Sequence, residues 1–179
     1  MLPTIALDLD GTIVDFYGVR GWLQALTSHD ATPYYKAGEL LDTDYLNALV
    51  ELYKAAGGHV CVVSWCSKGN TSKAFYNATQ AAKMLWLREN LPAIEDVRIV
   101  EYGTPKYLVV KDVRSTVLFD DEQANRDAFR RAGDVQDSPK VCLDSWLHRL
   151  ERRAKLILFR KANRKETTLC LFRTSPLCL

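Results

Sequence analysis

The chain has 179 residues, of which 47% are hydrophobic and 26% charged, the balance of an ordinary globular protein. A single domain of this length can bury a full core without a disulfide framework or a structural metal. The five cysteines form no CxxC pattern and no Cys/His cluster, so we expect buried free thiols in a reducing compartment. No apolar run reaches 18 residues and acids interrupt the first apolar stretch, so we predict a cytoplasmic protein without signal peptide or membrane span.

The first predicted elements are a strand and an irregular insertion. Thr4–Asp10 is a short, apolar, β-rich run that ends in acidic residues before Gly11. Residues 16–41 are rich in aromatic side chains and are broken by several Gly and Pro residues, so they fit no regular core element. Together with the helix that follows, they predict a small helical lid over about residues 16–57, inserted after the first strand.

Helices and strands then alternate along the chain. Apolar residues at helical spacing predict three helices, over Thr43–Ala56, Thr71–Asn90 and Glu122–Ala132. Short β-rich runs between them predict three further strands, His59–Trp65, Arg98–Tyr102 and Thr116–Phe119. This alternation predicts right-handed βαβ units and therefore a Rossmann-like α/β fold, with a three-layer parallel sheet and helices on both faces.

The last part of the chain is basic. The net charge is only +2, but residues 149–179 carry nine Lys/Arg residues and two Asp/Glu residues. Asp144–Lys161 has apolar residues at helical spacing, which predicts an amphipathic helix that packs on the sheet with a solvated basic face. Contact with nucleic acid or with an anionic surface is the alternative for that face, although no nucleic-acid-binding motif accompanies it. The structure of residues 164–179, a basic C-terminal tail, stays open.

Polar residues stand where predicted strands end. Asp8 and Asp10 end the first strand, Ser64 lies near the end of the second, and Asp120 and Asp121 follow the fourth. Because the carboxyl ends of parallel strands share one edge, where such sheets bind ligands, we expect these side chains to form one site. Lys106 is the lysine we assign to the same set, since the preceding Pro residue predicts a helix start that would turn it inward, and Lys68, Lys73 and Lys111 are the alternatives.

These residue types suit the transfer of a phosphoryl group. Asp8 and Asp10 point to one side of an extended strand, so the first can act as a nucleophile and the second as general acid and then base. Gly11 permits a tight turn before Thr12, whose backbone N–H groups could face a phosphate. The hydroxyl of Ser64 can donate to a phosphoryl oxygen, as the side chain of Lys106 can balance its charge.

The acidic residues also suit a divalent cation. Asp8, Asp120 and Asp121 offer hard oxygen ligands of the kind that Mg²⁺ takes in octahedral sites. Two acids at the end of one strand and two at the end of another would repel each other without a cation. The sequence therefore predicts Mg²⁺ as the cofactor.

The segments DLDGT, VVSWCSKG, YGTPK and LFDDEQANRD, in this order, resemble the four motifs of the haloacid dehalogenase superfamily, over about residues 4–130. The resemblance implies a phosphatase core over residues 1–163 that forms an aspartyl-phosphate on Asp8. It implies that Mg²⁺ is held by the Asp8 carboxylate, the Asp10 carbonyl oxygen and Asp120, with Asp121 behind them. It also implies that Ser64 and Lys106 hold the phosphoryl oxygens. Dehalogenases of this superfamily lack the second acid, so Asp10 favours a phosphatase.

A closer resemblance concerns DLDGTIVDF, the short lid and the helix segment KMLWLRENLP, which are similar to the cytosolic 5′(3′)-deoxyribonucleotidase group and its phage and bacterial relatives. This resemblance implies a 5′-nucleotidase on (deoxy)nucleoside monophosphates, with lid aromatics that hold the nucleobase. Trp22, Tyr34, Tyr35 and Trp65 could play that part, and the first three could equally form the core of the lid.

Two other functions are compatible with the sequence. One is a phosphatase that acts on nucleic-acid 3′ ends, for which a small lid leaves room and the basic tail could hold the backbone. The other is a non-catalytic protein that binds phosphorylated ligands. The acidic residues disfavour the second alternative, because a binding protein needs no proton donor at Asp10.

Overall fold

We describe the protein from a computed structural model, which covers residues 2–68, 72–133, 151–152 and 155. The predicted tail 164–179 and most of the predicted helix Asp144–Lys161 lie outside the described residues. Within the described ranges, no helix is long and apolar enough to cross a membrane.

Residues 2–68 and 72–133 contain six strands and six helices. In chain order the strands are β1 Thr4–Leu7, β2 Val14–Asp15, β3 Gly38–Glu39, β4 His59–Trp65, β5 Asp96–Val100 and β6 Thr116–Phe119. The helices are α1 Trp22–Thr27, α2 Thr32–Lys36, α3 Thr43–Ala55, α4 Lys73–Asn90, α5 Lys106–Val109 and α6 Gln123–Gly133. The predicted helices Thr43–Ala56, Thr71–Asn90 and Glu122–Ala132 are confirmed to within two residues at each end.

The main sheet has four parallel strands in the order β5-β4-β1-β6. The central strand β1 pairs with β4 on one side and β6 on the other, so that Leu7 lies opposite both Val62 and Phe119. The first strand is shorter than predicted, since β1 ends at Leu7 and the acids stand in the turn beyond it.

Both faces of the sheet are covered, which confirms the three-layer α/β prediction. Alternate side chains of the strands point to opposite faces. Ile5 and Leu7 belong to an apolar cluster with residues of α3 and α4, whereas Ala6 lies in a second cluster with Phe129 of α6. Burying a side chain such as Leu7 stabilises the fold by roughly 1.5–3 kcal/mol, and each face gathers several.

Helix α3 packs directly on the main sheet. Asp42 caps it by accepting a hydrogen bond from the Tyr45 backbone N–H at 2.9 Å. The helix packs on β4 and buries Leu46, Leu49, Val50 and Tyr53. The lid predicted over about residues 16–57 includes this helix.

Aromatic side chains of the insertion pack on one another and join the apolar cluster that contains Ile5 and Leu7. The hairpin β2–β3 closes it, with Val14 opposite Glu39. The ring of Tyr34 stacks on Phe16 at 4.4 Å between centroids, and Trp22 meets Phe16 edge-on at 5.5 Å. A hydrogen bond joins the insertion to α4, because the indole N–H of Trp86 donates to the Ala37 carbonyl at 2.9 Å.

Candidate active site

Two buried carboxylates stand side by side at the carboxyl edge of the sheet. Asp8 follows β1 and Asp120 follows β6, and these strands are neighbours. The backbone N–H of Asp8 donates to the Phe119 carbonyl at 2.8 Å, which extends the β-ladder to the acid. Each of the two acids is 7% exposed. The end of the parallel sheet thus brings together acids that are 112 positions apart in sequence.

The side chain of Lys106 lies between these two acids. Its Nζ is 2.8 Å from Asp8 Oδ1 and 2.6 Å from Asp120 Oδ2. Lys106 is the first residue of α5 and comes directly after Pro105, as the sequence predicted, and it is 4% exposed. One ammonium group therefore compensates two buried carboxylates.

Burial and charge together set the protonation of this group. Burial raises the pKa of Asp8 to about 7, with Lys106 opposing the rise and Asp120 adding to it. Burial disfavours the charged form of Lys106, but the two carboxylates outweigh burial and raise the pKa of the lysine. In the absence of a further cation, the two acids compete for a single positive charge.

Asp120 is fixed by the first turn of α6. Its carboxylate accepts from the Glu122 N–H at 2.9 Å and from Asn125 Nδ2 at 3.1 and 3.2 Å. Arg126 donates to the carbonyl oxygens of Asp120 and Asp121, at 2.5 and 2.7 Å. Sequence reasoning did not include Asn125 in the site. Its position in the first turn of α6 was the available signal, because an N-terminal turn faces back toward the residues that precede it.

The turn after the first strand leaves little space. Gly11 has φ 75°, and a Cβ there would lie 2.5 Å from Asp121 Oδ2 and 2.7 Å from the ring of Tyr17. The Gly11 N–H donates to the Val14 carbonyl at 2.8 Å, and the Thr12 N–H to the Leu9 carbonyl at 3.3 Å. Both N–H groups that we predicted to face a phosphate therefore hold the turn together. The Thr12 hydroxyl is buried and has no partner among the described residues.

Asp10 has a different cationic partner, which sequence reasoning missed. Lys83 of α4 is 1% exposed, and its Nζ lies 2.6 Å from Asp10 Oδ2, 3.0 Å from Ser64 Oγ and 2.6 Å from the Trp65 carbonyl oxygen. The available signal was a lysine inside the apolar stripe of a helix, beside Ala82 and Leu87. Such a position is rare for lysine unless the ammonium is paired.

Ser64 and Trp65 lie at the end of β4, as predicted. Ser64 is 1% exposed, and its hydroxyl oxygen accepts from Lys83. The indole N–H of Trp65 donates to the Thr104 carbonyl at 2.7 Å, which ties the β4 end to the loop before Lys106. The Lys106 Nζ lies 5.2 Å from the centre of the Trp65 ring, a cation–π distance.

A cavity of 570 Å³ opens at the ends of β4 and β5. Its walls combine hydroxyl, amide, charged and aromatic groups, contributed by Ser67, Ser72, Lys73, Tyr76, Asn77, Glu101 and Tyr102. On one wall, Ser67 bonds the Tyr34 hydroxyl at 2.9 Å, and the Tyr34 ring centre lies 5.0 Å from the Lys83 Nζ. On the other wall, Tyr102 packs on Trp65 with 4.9 Å between ring centroids.

Three carboxylates could hold a metal ion. One oxygen from each of Asp8, Asp120 and Asp121 lies within 4.8 Å of the others. Octahedral Mg²⁺ places opposite oxygen ligands about 4.2 Å apart, so small side-chain movements suffice. Burial and the Asp120 charge raise the pKa of Asp121, and burial with the surrounding carboxylates raises that of Tyr17. The all-carboxylate donor set and this excess of negative charge fit a hard divalent cation.

A second group of possible ligands lies at the opposite end of the sheet. His59, Cys61 and Asp96 also have donor atoms within 4.8 Å of one another. Arg98 holds both oxygens of Asp96, at 2.9 and 2.6 Å, which places a cation beside any metal. Burial raises the pKa of the Cys61 thiol to about 11, so it stays protonated at neutral pH. This arrangement disfavours metal binding. The expectation of buried free thiols is confirmed for Cys61 and Cys66.

Comparisons with known proteins give one weak structural likeness. No protein-family model matches the sequence, and no curated protein matches it significantly. A crystal structure of D,D-heptose 1,7-bisphosphate phosphatase from Burkholderia thailandensis is similar to 73% of this chain and 74% of its own, with 16% identity and a TM-score of 0.46. Similarity at this level is too low to assign a function to this chain. A functional assignment has to come from the geometry of its own site.

Proposed function

We propose that this protein is a Mg²⁺-dependent phosphomonoesterase that works through an aspartyl-phosphate on Asp8. The observation that carries the proposal is the pairing of Asp8 and Asp120 through Lys106, with Asp10 held separately by another lysine. A buried nucleophile, a cation beside it and a second acid two residues away supply the groups needed for this reaction.

The first step forms a bond between phosphorus and a carboxylate oxygen of Asp8. Lys106 holds Oδ1 of Asp8, which leaves Oδ2 for the attack. As the bond between phosphorus and the leaving oxygen breaks, Asp10 gives that oxygen a proton. In the second step water attacks phosphorus, Asp10 takes a proton from the water, and inorganic phosphate leaves with Asp8 restored.

The remaining groups bind and orient. Asp8, Asp120 and the Asp10 carbonyl oxygen would hold Mg²⁺, with Asp121 adjacent to them. When bound, the ion neutralises charge on the transferring phosphoryl group. Asn125 and Arg126 keep Asp120 and its backbone in place. Lys106, the Thr12 hydroxyl and Ser64 are the proposed contacts to phosphoryl oxygens.

For the substrate we propose a (deoxy)nucleoside monophosphate. The cavity between Ser67 and Tyr102 supports this choice, because its volume suits a nucleoside and its walls offer aromatic rings and hydrogen-bonding groups. Tyr34 is 4% exposed within the core of the insertion, so the base is better placed against Tyr102, which is 43% exposed. Trp65 packs beside Tyr102 and would border the same proposed base-binding site.

The test is phosphate release with and without Mg²⁺ from deoxynucleotides, ribonucleotides, sugar phosphates and a 3′-phosphorylated oligonucleotide. We expect release from nucleoside monophosphates that requires Mg²⁺ and is lost in Asp8→Asn, because an amide cannot form the covalent intermediate. Asp44→Asn, at an exposed position of α3, is the matched control and should retain activity.

Different outcomes separate the alternatives. Activity confined to the oligonucleotide would favour the nucleic-acid 3′-end phosphatase, and activity confined to sugar phosphates would refute the nucleotide substrate alone. Tyr102→Ala should raise the KM for nucleotides and leave the KM for acetyl phosphate unchanged. Full turnover by Asp8→Asn would refute the covalent mechanism, and binding without turnover of any ester would favour the non-catalytic alternative.

A further inference from the structure

We infer that Lys83 is a positioning residue that fixes Asp10 for proton transfer, an inference that rests on the proposed function. Lys83 comes from the middle of α4, outside the four segments that supply the rest of the site. It is the largest fully buried side chain of the described chain. A lysine in that position has to be explained, because an ammonium group is costly to remove from water unless it is fully paired.

The hydrogen bonds of Lys83 account for all of its donors. An ammonium group has three N–H bonds and no acceptor. Two of them reach β4, at Ser64 Oγ and the Trp65 carbonyl oxygen, 3.0 and 2.6 Å from Nζ. The sheet thus fixes the ammonium group, and the third bond, 2.6 Å long, fixes Asp10 Oδ2 in turn.

The two oxygens of Asp10 are consequently different. Oδ2 is held by Lys83, whereas Oδ1 is buried and has no hydrogen-bond partner among the described residues. A buried acceptor without a partner is unfavourable in a folded protein unless a ligand or water completes it. Oδ1 is therefore the oxygen that remains for the leaving group in the first step and for the attacking water in the second.

Exposure separates the roles of these two residues. The Asp10 side chain is 18% exposed, whereas that of Lys83 is 1% exposed. Part of the Asp10 side chain is open to solvent, whereas all three N–H donors of Lys83 are already bonded within the protein. Lys83 also bonds Ser64, a proposed phosphoryl contact in any reaction of this site. Only the effect of Lys83 through Asp10 should therefore depend on whether a reaction needs a proton from that acid.

The leaving group provides that readout. An alkyl phosphate needs a proton on its departing oxygen, whereas the leaving group of p-nitrophenyl phosphate departs as a stable phenolate. We expect Lys83→Met to lower kcat/KM for an alkyl phosphate roughly 10- to 100-fold, part of the usual contribution of a positioned general acid, and to change that for p-nitrophenyl phosphate much less. Thr79→Val, buried one turn earlier on the same helix face, is the control and should keep the wild-type ratio.

A second comparison isolates the route through Asp10. In an Asp10→Ala background, Lys83→Met should cause little additional loss with the alkyl ester, because the group it positions is gone. Equal losses with both esters, a full additional loss in the Asp10→Ala background, or no loss at all would each overturn the inference.

Folding and the proposed function are checked separately. The thermal midpoint of Lys83→Met shows whether it is folded, and if it is not, Lys83→Gln undergoes the same comparisons, since a glutamine keeps a donor near Ser64 but is too short to hold Asp10. A wild-type protein that hydrolyses neither ester would overturn the proposed function and the inference together. A wild-type protein that hydrolyses both, with an unchanged Lys83→Met, would overturn the inference alone.

Discussion

Gly11 and Asp121 are in such close contact that the turn after the first strand has no room for a side chain. A Cβ on Gly11 would lie 2.5 Å from Asp121 Oδ2, well inside van der Waals contact. The glycine also has φ 75°, a conformation that L side chains rarely adopt. The same residue thus lets the chain turn and lets the acid after β6 approach the acids after β1.

Gly11→Ala should therefore impair both stability and activity. We expect a loss of at least about 2 kcal/mol in the free energy of unfolding, because backbone strain and overpacking add. Phosphate release should also fall, because Asp121 must move to make room for the added methyl group. The control is Gly103→Ala, where φ is 86° but no atom lies within 4 Å of an added Cβ. That variant should lose only about 1 kcal/mol, from strain. If urea unfolding gave the two variants equal losses in the free energy of unfolding, the steric argument would be contradicted.

Lys106→Met should destabilise the metal-free protein strongly. It leaves Asp8 and Asp120 buried without a cation, and removal of one partner from a buried ion pair costs about 3–5 kcal/mol. Urea unfolding in EDTA measures this loss, with Lys111→Met, at an exposed site, as the control. Mg²⁺ should restore part of the stability, because it supplies the missing positive charge. A variant as stable as the control would refute the role given to Lys106.

The stability of the metal-free protein should depend on pH through Asp8. Its pKa in the folded state, about 7, lies above the value of 3.8 in an unfolded chain, so folding favours the protonated form. The stability that this group contributes is complete below pH 3.8 and is lost as the pH rises through 7. Asp8→Asn, which stays neutral, avoids that loss.

The measurement is the free energy of unfolding in EDTA at several pH values. At pH 8 Asp8→Asn should be more stable than the wild type by about 1 kcal/mol or more, since each unit of pKa corresponds to about 1.4 kcal/mol. The difference should shrink as the pH falls toward 4. A constant difference across this range would mean that Asp8 does not titrate as described.

Asn125→Ala should weaken the use of Mg²⁺. Its amide donates to both oxygens of Asp120, and loss of a hydrogen bond that orients a metal ligand typically costs roughly 10- to 100-fold in metal affinity or activity. The Mg²⁺ concentration that gives half-maximal phosphate release should rise accordingly. Gln123→Ala, at an exposed position of α6, should leave it unchanged. An unaltered Mg²⁺ dependence in Asn125→Ala would show that the amide does not orient Asp120.

The sequence by itself determined the fold class and the position of the acids. Short β-rich runs and helical apolar stripes are local signals, and the topology of parallel sheets then sends Asp8 and Asp120 to one edge. Pro105 likewise predicted that the Lys106 side chain turns inward, and in the structure this side chain lies between Asp8 and Asp120.

Tertiary structure alone decided the partners of these groups. Lys83 meets Asp10 across 73 positions, and whether a lysine in an apolar stripe is paired depends on what packs against it. Tyr34 was a plausible base-stacking residue from sequence, but its ring is stacked inside the insertion, because Phe16 covers it. Local patterns specify elements through backbone geometry and periodicity, whereas contacts between distant side chains are fixed only when packing brings the elements together.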